Sequence, residues 1–437
     1  MDLASPRVPT ATPPAGAIVD GVERLRDEAI VLLGDLVREP SLLGAEASAQ
    51  ARIAQVFRDL GLAVREFEID DAALRQHPGY SPSIVAYDGR RNVVGTHTPQ
   101  GSSSGRSLIF NGHIDVVPVG AESLWTHPPF SAHRDGDRLY GRGASDMKAG
   151  IVAYTMAFKA LRELGLEPAA TVHLQSVVEE ECTGNGALAC LVEGYRADAA
   201  VIPEPVPGVL TCQLGVMWVS VEVLGKPVHA LEAHAGVSAI EFSMHLFSAL
   251  KSLERQWNEP KSRHGYFLPH AHPININLGR IQGGEWASSV PTQCRSDIRI
   301  GFYPDMSPAR VRGEVERVLE EAHAAHPNRE SLQYRVIYQG FQAEGCVVDE
   351  NEPVLGALRE AHRDVAGREL ESVALTATTD ARVFNIYGGI PATCYGPAGG
   401  NIHGIDEWVS IDSMMETAAV LAVFMSRWCG TNRVGPR

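Results

Sequence analysis

The chain has 437 residues, 44% of them hydrophobic and 21% charged, with a formal net charge of −15. That length exceeds what a single hydrophobic core usually fills, so two domains are expected, and the negative balance excludes a surface for nucleic acids or other polyanions. Seven cysteines, scattered from Cys182 to Cys429 without C-x-x-C spacing, exclude a disulfide framework or a zinc knuckle and fit a reducing cytoplasm.

The Pro-rich start "MDLASPRVPTATPPAGA" lacks the apolar stretch of a signal peptide, and residues 1–18 are expected to be a flexible arm. No uncharged apolar run of about 18 residues follows, so no membrane span is expected. From Val22, apolar residues at helical spacing run through Leu36 and stop at Pro40. A second helix reads through Ile53, Val56, Phe57 and Leu60 to Gly61. Strands are expected at "LAVREFEI", "RNVVGTH" and "SLIFNGHIDVV", then a helix over about 147–164, the strand "ATVHLQSVV", a short helix near 187–192 and the strand "AAVI". Such alternation predicts an α/β fold, a mainly parallel sheet covered by helices.

After Gly215 the order changes to strand "VMWVSVEVL", helix 237–255, strands "ININLGRI" and "CRSDIRIGF", helix 307–325 and strand "LQYRVIY". That βαββαβ order is a ferredoxin-like two-layer insertion. The expected division is a first catalytic part over 19–214, an inserted domain over 215–338 and a second catalytic part over 339–437. The last part holds a helix around 354–365, strands "SVAL" and "PATCY", and a helix over 412–428.

Polar residues gather where strands of the first domain end. His113 and Asp115 in "NGHIDVV" stand two apart, on the same side of an extended segment. Asp146 lies in the Gly-rich loop "GRGASDMKAG"; Glu180 and Glu181 follow the strand ending in "VVEEEC"; Glu204 lies in "VIPEP" and His403 in "GGNIHGIDE". In open α/β sheets ligands bind beyond the carboxyl ends of strands, so these loops can share one crevice. A mixed His and carboxylate set from distant loops suits zinc or a similar first-row divalent ion. There are carboxylates enough for two ions about 3.5–4 Å apart with one bridging ligand, which would compensate the three consecutive glutamates from Glu179 to Glu181.

In their order along the chain these motifs resemble the metal-dependent amidohydrolase family of acetylornithine deacetylase, succinyl-diaminopimelate desuccinylase, aminoacylase and carboxypeptidase G. The likeness runs from "LVREPS" to "IHGIDEWV". It implies two metal ions per subunit, zinc first, with cobalt or manganese also suited. His113 and Glu204 would serve the first ion, Glu181 and His403 the second, and Asp146 would bridge them. Glu180 would be the general base, with Asp115 orienting His113. It further implies that the insertion is a lid and homodimerisation domain. His229 of "GKPVHA" would stabilise the oxyanion in the partner's site, and Arg299 of "SDIRIGFYP" would bind the substrate's carboxylate, with Arg382 of "TTDARVF" a second candidate. Two departures stand out: Ser288 in "ASSVP" replaces the family's substrate-contacting Asn, and Glu179 replaces the first Asp of the acidic triplet.

Other tempting motifs read as ordinary. His264, His270 and His272 fall in a lid loop and suit a surface or substrate-rim role. "GSSSG" at 101–105 matches a serine-hydrolase pattern without its strand–turn–helix setting. "GRG" at 141–143 lacks the third glycine of a dinucleotide loop, and Cys182 and Cys394 read as packing residues. The expectation is a cytoplasmic, homodimeric, acetylornithine deacetylase-like amidohydrolase that removes an acyl group from the nitrogen of an N-acyl amino acid or similar small amide. A dipeptidase or carboxypeptidase of the same family is the alternative, and a non-catalytic metal-dependent binding protein is the alternative from another class.

Overall fold

The strands that carry the candidate residues lie side by side in a computed structural model that describes residues 13–100, 105–206, 208–260 and 263–434. One six-stranded sheet runs in the order Ala63–Glu68, Arg91–His97, Val172–Val177, Leu108–His113, Ala200–Ile202 and Ala392–Cys394. The last four are mutually parallel, while Arg91–His97 is antiparallel to both neighbours. Val172–Val177 and Leu108–His113 are buried at every position, as strands covered on both faces must be. Helices Ala149–Glu163 and Ile411–Trp428 pack against each other, and both contact helix Ala15–Glu23. Ile411–Trp428 is apolar almost all round and correspondingly buried.

Two local expectations change, and two features are added. The helix read from Val22 is two helices, Ala15–Glu23 and Arg26–Arg38. No Gly or Pro marks the break; the chain tightens there to a three-residue hydrogen bond, Leu25 N to Val22 O at 2.9 Å. The expected arm therefore ends earlier: residues 15–18 are helical, Ile18 is buried, and residues 1–12 lie outside the described residues, as do 101–104 of "GSSSG". "SVAL" leaves the main sheet and pairs in parallel with Val209–Gln213 in a three-stranded sheet. A further sheet, joining 133–140 to 399–410, is built of strands two or three residues long, too short to show a period-2 pattern.

In the inserted segment, strands Gly215–Leu224, Ile276–Gly283, Gln293–Phe302 and Gln333–Ala343 form an antiparallel sheet. Taken in chain order within the segment they are arranged 2-3-1-4, the ferredoxin-like order. The last strand continues past residue 338 to Ala343. Helices Ala239–Trp257 and Pro308–Ala325 start where Ser238 and Ser307 cap the amides of Glu241 and Arg310. They cover one sheet face over a separate core that includes Phe242, Leu246, Leu250, Ile298, Ile300 and Phe302.

The seam between helix Ala149–Glu163 and the strand carrying Glu204 is tight: a Cβ on Gly150 would sit 2.1 Å from the Pro203 carbonyl oxygen. A glycine in a helix interior is ordinarily worse than alanine by roughly 1 kcal/mol. Here the sign reverses: Gly150→Ala is expected to destabilise by about 1–3 kcal/mol in denaturant unfolding, because the helix must move off the strand end. Equal or greater stability would refute this close approach.

Candidate active site

Each candidate side chain sits where a strand or loop opens at the carboxyl edge of the main sheet. His113 ends its strand, Glu180 and Glu181 follow Val172–Val177, and Glu204 follows Ala200–Ile202. Asp146 lies in the turn before helix Ala149–Glu163, and His403 in the loop between Gly399–Gly400 and Trp408–Ser410. Two overlapping triads result, His113/Asp146/Glu204 and Asp146/Glu181/His403, each with ligand atoms within 4.8 Å of one another. Asp146 is shared: its Oδ1 lies 3.1 Å from His113 Nε2 and its Oδ2 lies 3.3 Å from His403 Nε2. His113 Nε2 is also 3.7 Å from Glu204, and His403 Nε2 is 3.1 Å from Glu181. Glu180 belongs to neither triad but brings an oxygen to 4.0 Å from His113 Nε2.

Five carboxylates, Asp115, Asp146, Glu180, Glu181 and Glu204, thus face two imidazoles, and the protonation of the cluster records the strain. Burial drives Glu180 and Glu204 well above the usual carboxylate range against the pull of His113. Burial also lifts Asp115 to about 7. Asp146 goes the other way: burial opposes its charge, but the two imidazoles hold it far below the usual range. Burial would lower His113 and His403, yet the carboxylates prevail, raising His113 well above its ordinary value and His403 to about 11. This is an anionic, mixed N/O cavity in which one carboxylate reaches toward both histidines, and it fits two divalent cations sharing Asp146.

The supports of this cluster were not among the sequence candidates. Glu407, fully buried, accepts the amides of Gly143 (3.1 Å), Ser145 (2.9 Å) and Asp146 (3.1 Å) and pairs with Arg142 Nη1 at 2.6 Å, so it moulds the loop that presents Asp146. Its signal lay in plain view, four residues after His403 in "IHGIDE". Glu179 turns away from the crevice and pairs with buried Arg90 at 2.7 Å, which answers the charge of the first glutamate without a metal. Asp380 is buried with neither carboxylate oxygen hydrogen-bonded among the described residues. Burial lifts it to about 7, with Arg382 and His113 opposing. The motif "TTDARVF" had been singled out for Arg382 alone.

The other candidates are placed as follows. Asp115 contacts His113 Nδ1 through its backbone carbonyl (2.9 Å), with its carboxylate at 3.8 Å. The carboxylate instead accepts the amides of Glu180 (3.3 Å) and Glu181 (3.1 Å); it orients the glutamate turn, and the main chain orients the imidazole. Arg382 is buried, donates to the Thr183 carbonyl at 2.9 Å and has no hydrogen-bond partner for Nη1 among the described residues. His229 is exposed, outside both triads, with Nδ1 accepting the Leu231 amide; Ser288 lies beside it, its carbonyl accepting the Ala230 amide. Arg299 lines a groove of about 780 Å³ with Ile84, Trp218, Asn277, Asp297 and Gln339. Its side chain makes no hydrogen bond or ion pair among the described residues, and burial alone lowers its pKa. His272 contacts Glu254 (3.2 Å), His264 stacks on Tyr266, and neither they nor His270 enter a metal-competent group among the described residues. Cys182 and Cys394 are buried, with their thiols driven well above the ordinary value.

A parallel-sheet crevice with two overlapping His/carboxylate triads and a buried glutamate beside them has the donor set of a metal-dependent hydrolase. The family follows: the model for Peptidase family M20/M25/M40 matches residues 109–427, and the chain belongs to that family. It is 30% identical to the N-formyl-4-amino-5-aminomethyl-2-methylpyrimidine deformylase of Bacillus subtilis (strain 168), over 88% of this chain and 90% of the relative. It is 27% identical to the succinyl-diaminopimelate desuccinylase of Rhodospirillum centenum, over 91% and 97%. Its fold matches that of human carnosine dipeptidase 1 with a TM-score of 0.76 at 18% identity, over 95% and 99% of the two chains.

The raised pKa values give the metal-free protein a pH signature. Asp115, lifted from 3.8 to about 7, and His403, lifted from 6.5 to about 11, keep more protons in the folded state than in the unfolded chain. Their contributions are complete below the unfolded values and are lost as pH rises through the folded ones. The unfolding midpoint of chelator-treated protein is therefore expected to fall between pH 6 and pH 9, and added Zn²⁺, which displaces those protons, should reverse the trend. A midpoint that rises with pH in the chelated protein would contradict the convergence of these charges.

Proposed function

We propose that the protein removes a small acyl group from the nitrogen of an amino acid or similar amine, and that it holds two divalent cations to do so. The observation that carries this reading is Glu180: a buried carboxylate, in neither triad, beside the ion site that His113, Asp146 and Glu204 would form. Glu181 and His403, with Asp146, would hold the second ion, and zinc suits the donor set best, cobalt and manganese also. Bound there, the cations would polarise a carbonyl oxygen and acidify water. Glu180 accepts a proton from that water on a carboxylate oxygen and returns it to the amine nitrogen as the C–N bond breaks. Asp115 keeps Glu180 and Glu181 aimed through their amides. Arg299, without a side-chain partner among the described residues, binds the substrate's carboxylate.

The two sequence relatives are named for a formyl and a succinyl amide, which supports the acyl-amide class and leaves acetylornithine as one candidate among several. A dipeptide is the alternative substrate, since it too presents a carboxylate to Arg299. We assign 19–214 and 344–437 to the catalytic part and 215–343 to the lid, the far boundary moved from 338 to the end of the last lid strand, supported by their separate cores. We also assign homodimerisation to the lid, supported by its edge strand Ile276–Gly283, largely exposed. In that arrangement exposed His229 serves the partner's oxyanion. Seven free, buried thiols fit a cytoplasmic setting.

Assays of N-formyl, N-acetyl, N-succinyl and N-carbamoyl amino acids and dipeptides, with chelator and then with Zn²⁺ or Co²⁺ restored, test the reading. Hydrolysis of one acyl class, lost and regained with metal, is expected. Glu180→Gln should lose about 10²–10⁴-fold in kcat at unchanged metal content. Turnover intact in this variant would exclude Glu180 as the base, and metal binding without hydrolysis of any substrate would favour a binding protein. Arg299→Ala should raise KM for carboxylate-bearing substrates roughly 10–100-fold with little change in kcat.

A further inference from the structure

Glu179 has a backbone φ of +71°. A residue with a long side chain adopts this left-handed conformation only where its surroundings over-determine it. The next residue along the chain is the base candidate Glu180, and the backbone at 179 sets the direction in which the following side chains leave the turn.

What holds Glu179 is a buried ionic lattice on the side away from the crevice. Its Oε1 accepts from Arg90 Nη1 at 2.7 Å, and its Oε2 accepts from the Tyr87 hydroxyl at 2.6 Å and from Thr183 Oγ1 at 2.8 Å. Its carbonyl accepts the amides of Thr183 (3.0 Å) and Gly184 (2.8 Å). Arg90 also grips Glu46, with Nε to Oε2 at 3.0 Å and Nη2 to Oε1 at 2.6 Å. Arg90 is 4% exposed and both glutamates 0%. Glu46 immediately precedes helix Ala47–Asp59, so the lattice ties the glutamate turn to that helix. On the crevice side, the Asp115 carboxylate holds the amides of Glu180 and Glu181. The turn is thus clamped from both sides, and one guanidinium ties its outer clamp to Glu46. An aspartate at 179 would fall short of Arg90 and Tyr87 by about 1.5 Å, the length of one C–C bond, so the replacement noted in the triplet matches the lattice that receives it.

Resting on the assignment of Glu180 as base, we propose that Arg90, acting through Glu179 with Tyr87 and Glu46, is a positioning residue that aims Glu180 and Glu181 into the crevice. It touches no substrate. Its effect is on the direction of two carboxylates.

Two variants test this. Tyr87→Phe removes the hydroxyl that donates to Glu179 and accepts from Asn185 Nδ2 at 2.8 Å, and should fold; Arg90→Met removes the shared cation, and its fold is checked by thermal melting. Zn²⁺ affinity, read by competition with a chromophoric chelator, needs no substrate. The expected result is weaker binding of one of two Zn²⁺ ions, by about 10-fold in Tyr87→Phe and about 100-fold in Arg90→Met, the range typical of groups that orient metal ligands. On whichever N-acyl substrate the unmodified protein hydrolyses, kcat should fall in parallel with KM unchanged. In a Glu180→Gln background at saturating Zn²⁺, which restores the ion that Glu181 would hold, Tyr87→Phe should reduce kcat no further, since the base it aims is gone. Zn²⁺ affinity and kcat within twofold of the unmodified protein in Tyr87→Phe and in any folded Arg90→Met would overturn the proposal. So would a full, independent loss in the Glu180→Gln background. If Arg90→Met does not fold, Tyr87→Phe decides. If the unmodified protein hydrolyses nothing, the proposed function fails, and the Zn²⁺ measurement still decides the positioning role.

Discussion

The structure depends on how it manages carboxylates packed into a space with little water. Five converge on the carboxyl edge of the main sheet with only two imidazoles between them. Like charges so placed are tolerated by taking up protons or by finding cations. The raised pKa values of Glu180, Glu204 and Asp115 show the first solution at work, and the overlapping triads are shaped for the second.

Around this centre the same residue types meet a different fate. Glu407, Glu46 and Glu179 are as deeply buried as the crevice carboxylates, but each faces outward to an arginine: Arg142 for the first, Arg90 for the other two. Within "EEE" the division runs through adjacent residues, one neutralised by a guanidinium and two turned to the crevice. Paired carboxylates shape loops, while unpaired ones are left for ligands. Removing one partner of a buried pair strands the other charge, so the outer ring locks loop conformations as well as charge.

The lid sheet repeats the contrast on one strand. Arg295 and Arg299 lie four apart, on the same face of Gln293–Phe302. Arg295 is answered by Glu222 and Asp297; Arg299 has no such partner among the described residues and opens onto the groove. Polar residues on one strand face are therefore not equivalent: one is held in the charge network of the sheet and the other is left open to the groove.

Much of this was legible in the amino-acid order. Hydrophobic periodicity and strand-end motifs determined the α/β class, the βαββαβ insertion and the seven crevice residues from His113 to His403, because burial and ligand chemistry dictate residue type locally. The break at Leu25, the departure of "SVAL" from the main sheet and the short strands at 133–140 and 399–410 were not legible, since each is set by packing rather than by a local breaker or period. The division of labour among carboxylates was hidden for the same reason. Arg90 and Glu179 are 89 positions apart, and Arg142 and Glu407 are 265 apart. A charge announces itself in sequence, but whether it is neutralised, and by whom, is decided only when folding brings its partner within about 3 Å.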